Sequence, residues 1–89
     1  MSGFDWNDEK NKELEKSRGV CFEDVRVCIQ AGHVIDVLRH PNRERHPNQN
    51  LIVLNVEGYV WLVPWVKTKG TRFLKTIIPS RKATLEYLS

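Results

Sequence analysis

The chain has 89 residues and a formal net charge of +3, from 14 lysine and arginine residues against 11 acidic residues. This length accommodates one domain with a small core and excludes a second domain. The longest near-continuous apolar run, residues 59–66, is far shorter than the roughly 18 residues of a membrane span, and no basic stretch followed by an apolar one marks a signal peptide. We therefore expect a soluble, cytoplasmic protein without membrane association.

The two cysteines favour a reducing compartment. Cys21 and Cys28 are seven residues apart. In a helix, a rise of about 1.5 Å per residue separates such residues by roughly 10 Å, which is too far for a disulfide. We expect both thiols to be reduced and structural.

Two helices are predicted in the first third of the chain. Residues 8–18 form the first, because Asn7 is a good N-cap and Gly19 allows a left-handed stop. Its only apolar residue is Leu14, so we expect this helix on the outside of the fold. Residues 22–31 form the second helix, with one apolar stripe at helical spacing.

Strand patterns follow the helices. Four strands are predicted, at residues 33–38, 51–56, 59–66 and 71–78. Turns are predicted at residues 57–58 and 67–70, and a long polar loop at residues 39–50. Pro64 indicates a bulge or an end in the third strand.

The predicted fold class is α+β, with two N-terminal helices, a four-stranded, mainly antiparallel sheet and a short C-terminal helix over residues 83–88. We expect the helices on one face of the sheet, with the other face, or a groove across it, left available. The second and third strands contain continuous apolar runs, which are typical of central strands covered on both faces. His33, Trp61 and Trp65 are expected in the core, and the two tryptophans are not expected to form a base-stacking platform.

A pair of cations follows the last strand. Pro79 cannot donate to a sheet ladder, and the final helix begins within a few residues of it. Arg81 and Lys82 therefore lie on the corner between the last strand and the last helix.

Charge is divided unevenly along the chain. Residues 1–24 carry seven acids and four bases, a net charge of −3, whereas residues 59–89 carry six bases and one acid, a net charge of +5. A basic half suggests a polyanionic partner such as nucleic acid. The alternative is a set of solvated strand edges protected by lysine.

Three segments carry recognisable motifs. Residues 4–10 (FDWNDEK) fit Phe-x-Trp-(Asp/Asn)-x-x-Lys, and residues 18–23 (RGVCFE) correspond to His-Gly-(Ile/Val)-Ser-Phe-Glu. Residues 77–84 (IIPSRKAT) correspond to an Ile-Ile-Ser-Ala-Arg-Lys-Ala-Thr corner. In this order and at these distances, the segments resemble the BrnT-type toxins of bacterial type II toxin–antitoxin pairs, a branch of the RelE-like ribonuclease fold.

The resemblance implies an activity and a partner. RelE-like toxins cleave RNA without a metal, using the substrate's own 2′-hydroxyl as nucleophile, and thereby inhibit translation and growth. The implied partner is a cognate antitoxin with a ribbon-helix-helix domain, and DNA would be bound only through that antitoxin. An antitoxin with acidic residues would complement the basic half of this chain.

The reaction needs a proton acceptor, a proton donor and cations for the developing phosphorane charge. The candidate catalytic residues are Arg81, Lys75, His46 and Tyr87. The candidate RNA-binding residues are Lys67, Lys69, Arg72 and Lys82.

Each candidate residue also has a structural interpretation. Arg81 leads, because a rigid corner can present its guanidinium to two phosphate oxygens, but it could instead bond carbonyls of its own turn or a carboxylate on the first helix. Exposed turn lysines commonly serve solubility, and loop histidines such as His40 and His46 are commonly only solvated. A tyrosine on a terminal helix commonly packs.

Other chemistries have no support in the sequence. Glycine-rich phosphate loops, Cys-x-x-Cys pairs and serine nucleophile motifs are missing, and the histidines lack cysteines at zinc spacing. We expect no metal and no cofactor.

Departures from the family pattern keep alternatives open. Arg18 and Cys21 replace a histidine and a helix-capping serine, Thr76 stands where the family often has an arginine, and a Glu-Arg pair common in the preceding strand is missing. The alternative favoured by these differences is a non-catalytic module that binds RNA or the antitoxin. A plain structural subunit with a basic edge is a third possibility, and it predicts no RNA affinity.

Overall fold

The structure is a computed structural model that describes residues 3–39 and 49–89. Within these residues the chain forms three helices and a mixed six-stranded sheet, and the fold class is α+β as expected. The elements are β1 (Gly3–Asp5), α1 (Asp8–Arg18), α2 (Phe22–Gln30), β2 (Val34–Arg39), β3 (Gln49–Val56), β4 (Tyr59–Thr68), β5 (Thr71–Leu74), β6 (Ile78–Pro79) and α3 (Arg81–Leu88).

The sheet differs from the predicted four antiparallel strands. Its order is β1-β5-β4-β3-β2, and β6 also pairs with β4. β1 was not predicted, and it lies parallel to β5, whereas the other pairs are antiparallel. The predicted strand over residues 71–78 is divided into β5 and β6.

Both N-terminal helices form where the sequence predicts them. The bounds of α1 are confirmed, with the Asn7 side chain accepting a hydrogen bond from Lys10 N at 2.9 Å and Gly19 in the left-handed region at φ 68°. The second helix ends one residue earlier than predicted. Its N-cap residue, Cys21, makes no side-chain cap bond, and the Asn11 side chain on α1 instead accepts a hydrogen bond from Phe22 N at 2.8 Å.

Both hairpin turns consist of two residues. The turn at residues 57–58 is confirmed, but β4 extends to Thr68 and reduces the predicted turn at 67–70 to Lys69 and Gly70. Lys69 and Gly70 have φ values of 36° and 81°, and positive φ at both positions is typical of a type I′ turn. Of the predicted loop at 39–50, Arg39 belongs to β2 and residues 49–50 to β3, while the rest lies outside the described residues.

The sheet is covered on both faces. The larger core cluster joins α1 and α2 to one face through side chains that include Phe22, Leu54 and Val63. On the other face, Ala83 of α3 packs with Val53 and Val60. The prediction that β3 and β4 are central strands is confirmed, but the expectation that the helices share one face is wrong, because α3 lies on the opposite side.

Three further expectations concern single residues and membrane association. Trp61 belongs to the buried core and Trp65 is partly buried against it, whereas His33 is exposed at the start of β2. Both cysteines are free thiols. No helix in residues 3–39 and 49–89 combines the length and apolar character needed to cross a membrane.

Candidate functional site

The corner between β6 and α3 is fixed by backbone and side-chain hydrogen bonds. Ser80 N donates to the carbonyl of Val60 at 2.9 Å, and Val60 N donates to Thr84 Oγ1 at 2.8 Å. The Thr84 hydroxyl in turn donates to the Ser80 carbonyl at 2.7 Å, and Ser80 Oγ caps the helix by accepting from Ala83 N at 3.0 Å. Val60 of β4 therefore hydrogen-bonds both the residue after β6 and the first turn of α3.

Arg81 is the first residue of α3 and is exposed, as is Lys82 beside it. In the part of the chain that the structure describes, the Arg81 guanidinium makes no hydrogen bond and no ion pair; the ion pair found there joins Lys10 to Glu13. The proposed alternative, in which Arg81 bonds its own turn or a carboxylate on α1, therefore finds no contact in these residues. The corner therefore fixes the backbone of Arg81, and the N–H groups of its guanidinium have no acceptor in the described residues.

A bulge separates β5 from β6 opposite Pro64. Val66 pairs with Phe73, and Leu62 pairs with Ile78. Between these two pairs β4 advances by four residues, whereas the opposite segment advances by five. The Pro64 carbonyl accepts from Lys75 N at 2.8 Å, so the side of Pro64 that lacks an N–H also faces this segment. A missing ladder bond and one extra residue are the conditions under which a strand bulges.

The bulge changes the expected direction of the side chains near it. Leu74 and Ile77 are both fully buried in the same core cluster although they are three residues apart, which regular alternation does not allow. Simple alternation therefore cannot assign Lys75 and Thr76 to opposite faces. Lys75 is exposed and lies beside the middle of β4.

A second group of cations lies on the β4–β5 hairpin. Lys67 and Arg72 are directly opposite each other on the two strands, and Lys69 is in the turn. The Arg72 guanidinium carbon is 5.7 Å from the ring centroid of Phe4 and 5.4 Å from that of Trp65. These distances are within the range of cation–π contacts.

Trp65 carries an unusual polar atom. Its Nε1 is buried and has no hydrogen-bond partner among the residues that the structure describes. A buried donor without an acceptor costs about 1–3 kcal/mol, so such groups are rare in folded proteins. Sequence inspection could not reveal this, because the burial of a single atom depends on tertiary packing.

The candidate residues do not converge on one point. Pro79, next to the corner, pairs with Trp61 of β4, and Arg72 of the hairpin pairs with Lys67 of β4. Trp61 and Lys67 are six residues apart along β4, or about 20 Å at roughly 3.3 Å per residue. Lys75 lies between the two groups. Tyr87 is six positions after Arg81 in α3, about 9 Å further along the helix and on a different side of it. His46 and His40 lie outside the described residues.

Arg18 is a cation near the corner that the sequence analysis did not assign to the site. From the last turn of α1, its Nη1 donates to the Ile77 carbonyl at 3.4 Å. The available signal was its position in the second motif, where the family pattern has histidine. Its contact with the Ile77 carbonyl depends on how α1 packs against the segment before β6, which the sequence alone does not specify.

Another groove lies between α2 and the β3–β4 hairpin. It has a volume of about 580 Å³, and Cys28 and Trp61 line it together with the exposed His33 and acids at Asp24 and Glu57. Burial raises the pKa of the Cys28 thiol, whose Sγ donates to the Asn55 carbonyl at 3.3 Å. The thiol is therefore protonated and unreactive at neutral pH, and the groove holds none of the predicted site residues.

Residues 3–39 and 49–89 contain no group of three or more histidine, cysteine, aspartate or glutamate side chains arranged to hold a metal ion. Comparisons of the chain with protein-family models, curated proteins and solved structures give no match. Function must therefore be inferred from the residues and their placement.

Proposed function

We propose that this chain is the toxin component of a bacterial type II toxin–antitoxin system, a metal-independent endoribonuclease on a RelE-like fold that inhibits translation and growth. The observation that carries the proposal is the corner of Ser80, Arg81 and Thr84. Its backbone is clamped to β4, and the Arg81 guanidinium has no protein partner within the described residues. A charged donor with a fixed base and free N–H groups suits a reaction in which charge develops on phosphate oxygens.

The chemistry requires few protein groups. The 2′-hydroxyl of RNA attacks the adjacent phosphorus, the bond to the 5′ oxygen breaks, and the products are a 2′,3′-cyclic phosphate and a 5′-hydroxyl. Arg81 would bind the non-bridging oxygens as negative charge grows on them, with Lys75 and Lys82 as further cations. His46 and Tyr87 remain the candidates for moving protons to and from the sugar oxygens.

The proposed partner is an antitoxin of the ribbon-helix-helix type, and DNA would be contacted only through it. Two features support a partner of acidic and apolar character. Residues 59–89 carry a net charge of +5, and large apolar side chains near the corner are exposed, with Leu85 at 60%, Leu88 at 39% and Ile78 at 39%. Charge complementarity would speed association with such a partner and favour it over others.

A non-catalytic module that binds RNA or the antitoxin is the second candidate. Two observations favour it: Thr76 occupies the bulge where the family pattern has an arginine, and helix geometry separates Tyr87 from Arg81. In this case the basic residues would bind phosphate without cleaving it.

The proposal is tested by incubating the purified protein with an end-labelled messenger RNA, free and ribosome-bound, in the presence of EDTA. We expect cleavage to products with 2′,3′-cyclic phosphate ends, and no cleavage where a single 2′-deoxynucleotide replaces the attacking hydroxyl. Arg81→Ala should lower the rate about 100-fold or more, in the range found when one transition-state donor is removed. Lys16→Ala, which removes an exposed lysine on α1, should match the wild type.

Two results would contradict the enzyme. One is cleavage that EDTA abolishes, and the other is equal activity of Arg81→Ala and Lys16→Ala. RNA binding by the wild type with no cleavage of either substrate would favour the binding module.

A further inference from the structure

The β4–β5 hairpin contains a groove that is separate from the corner. Its volume is about 330 Å³, and it is lined by Trp65, Lys67, Gly70, Thr71 and Arg72. Trp65 and Lys67 share one face of β4, and Arg72 lies opposite Lys67 on the same face. This is the face covered by α1 and α2, whereas α3 lies on the other.

The positive charges of Lys67 and Arg72 lie next to each other in this groove, and no acidic side chain of the described residues pairs with them. Like charges directly opposite on neighbouring strands are unfavourable. Within the described residues neither Lys67 nor Arg72 forms an ion pair. A bound anion would remove the repulsion, and no carboxylate among residues 3–39 and 49–89 pairs with either cation.

Arg72 is already oriented for such a ligand. Its guanidinium carbon lies over two rings, 5.7 Å from the centroid of Phe4 and 5.4 Å from that of Trp65, and cation–π attraction favours this position. Stacking uses the faces of a guanidinium and leaves its N–H edge free to bind two oxygens of one phosphate. Restricting the group before binding lowers the entropy lost when a ligand is bound.

Trp65 adds an independent sign of a ligand. Its Nε1 donor is buried and finds no acceptor in the described part of the chain, and its ring lines the groove. An oxygen of a ligand bound against this ring would give Nε1 the acceptor that the described residues do not supply. The same ring provides a surface on which a base can stack.

We propose that the groove at the β4–β5 hairpin is a phosphate-binding subsite for single-stranded RNA, with Lys67 and Arg72 as the phosphate ligands and Trp65 as the adjoining donor and stacking surface. It rests on the proposed function only in taking RNA as the source of the phosphate. The subsite lies about 20 Å along β4 from Arg81, so it would bind a different part of the chain from the cleaved bond.

The test follows the indole N–H signals of ¹⁵N-labelled protein, with Trp65 identified through Trp65→Phe. The probe is a 2′-O-methyl RNA hexamer, which cannot be cleaved by 2′-hydroxyl attack. We expect a saturable shift of the Trp65 signal, in the wild type and also in Arg81→Ala. Inorganic phosphate at equal phosphate concentration should shift it less.

Three variants separate the contributions to affinity for the hexamer. Lys67→Ala should weaken binding about 5-fold or more and reduce the slope of log affinity against log salt by roughly one phosphate contact. Arg72→Lys keeps the charge but loses the planar fork, so affinity should fall with the slope unchanged. Lys16→Ala should change neither, and well-dispersed amide spectra should show that each variant is folded.

The inference is overturned if the Trp65 signal does not shift with the hexamer, if only inorganic phosphate shifts it, or if Lys67→Ala binds as tightly as Lys16→Ala. Failure of the proposed function looks different. A protein that cleaves no RNA but shows the expected Trp65 shift and variant pattern would retain the subsite and lose the ribonuclease.

Discussion

At the scale of single residues, Asn11 joins the first two helices with both ends of its side-chain amide. Its Oδ1 accepts from Phe22 N at 2.8 Å, and its Nδ2 donates to Glu23 Oε1 at 2.8 Å. The hydrogen bond from Asn11 is the main reason that the pKa of Glu23 lies below its ordinary value of 4.5. One side chain thus caps α2 and stabilises a charged carboxylate in its first turn.

Asn11→Ala should destabilise the fold by about 1 kcal/mol through the lost cap, and should raise the pKa of Glu23 toward 4.5. A carboxyl with a lowered folded pKa stabilises the protein above its unfolded pKa, and this stabilisation is lost as the pH falls through the folded value. The stability difference between wild type and variant should therefore be largest above pH 4.5 and decrease below it. Urea denaturation at several pH values and NMR titration of the Glu23 carboxyl measure both effects.

Lys16→Ala serves as the control on the same helix, and should leave the Glu23 titration as in the wild type. If Asn11→Ala also leaves that titration unchanged, Asn11 does not set the Glu23 pKa.

At the scale of elements, α3 is attached to the sheet chiefly at its first turn. Ala83 is buried against Val53 and Val60, and the Thr84 hydroxyl is the acceptor for Val60 N. Further along the helix, Leu85 and Leu88 are exposed. The position of Arg81 therefore depends on the hydrogen bonds of this one turn.

Thr84→Val keeps the shape of the side chain but removes the acceptor for Val60 N. An N–H left unpaired in a partly buried position costs about 1–3 kcal/mol, so chemical denaturation should give a free energy of unfolding lower by that amount. Thr84→Ser retains the hydroxyl and should lose less. Equal stability of Thr84→Val and the wild type would show that the bond does not hold α3 in place.

Some of these helices and strands could be predicted from the sequence, and others could not. The bounds of α1 follow from Asn7 and Gly19, because caps act within one turn of the helix. β1 could not be predicted, since it has three residues and is stabilised by parallel pairing with a strand nearly seventy positions away. Pro64 predicted a bulge or an end in its own strand, but β4 continues through it and the extra residue lies between β5 and β6, because the missing N–H acts on the neighbouring strand and its effect requires the register to be known.

The candidate site was predictable to a similar degree. The position of Arg81 and Lys82 after the last strand follows from Pro79, but the final helix begins at Arg81 and not at Ala83 as predicted, because Ser80 caps it. The contact of Arg18 with the Ile77 carbonyl and the burial of Trp65 Nε1 depend on tertiary packing. His46 lies outside the described residues, so its assignment stays a prediction.

At the scale of the whole molecule, the charge asymmetry of the sequence becomes a spatial one. The acidic residues of the first third lie mainly on α1 and the start of α2, whereas the cations of residues 59–89 follow β4 from the hairpin to the corner. Because the hairpin cations lie on the face covered by α1 and α2, and Arg81 begins α3 on the opposite face, they form two separate basic regions.

The most direct measurement is the growth of bacteria after induction of the wild type, Arg81→Ala and Lys16→Ala at matched soluble levels, with total RNA analysed for cleavage. The account predicts growth arrest and cleaved RNA for the wild type and Lys16→Ala, and normal growth with intact RNA for Arg81→Ala. Normal growth and intact RNA with the wild type would contradict the ribonuclease, and arrest by Arg81→Ala equal to that of the wild type would contradict the role of the corner.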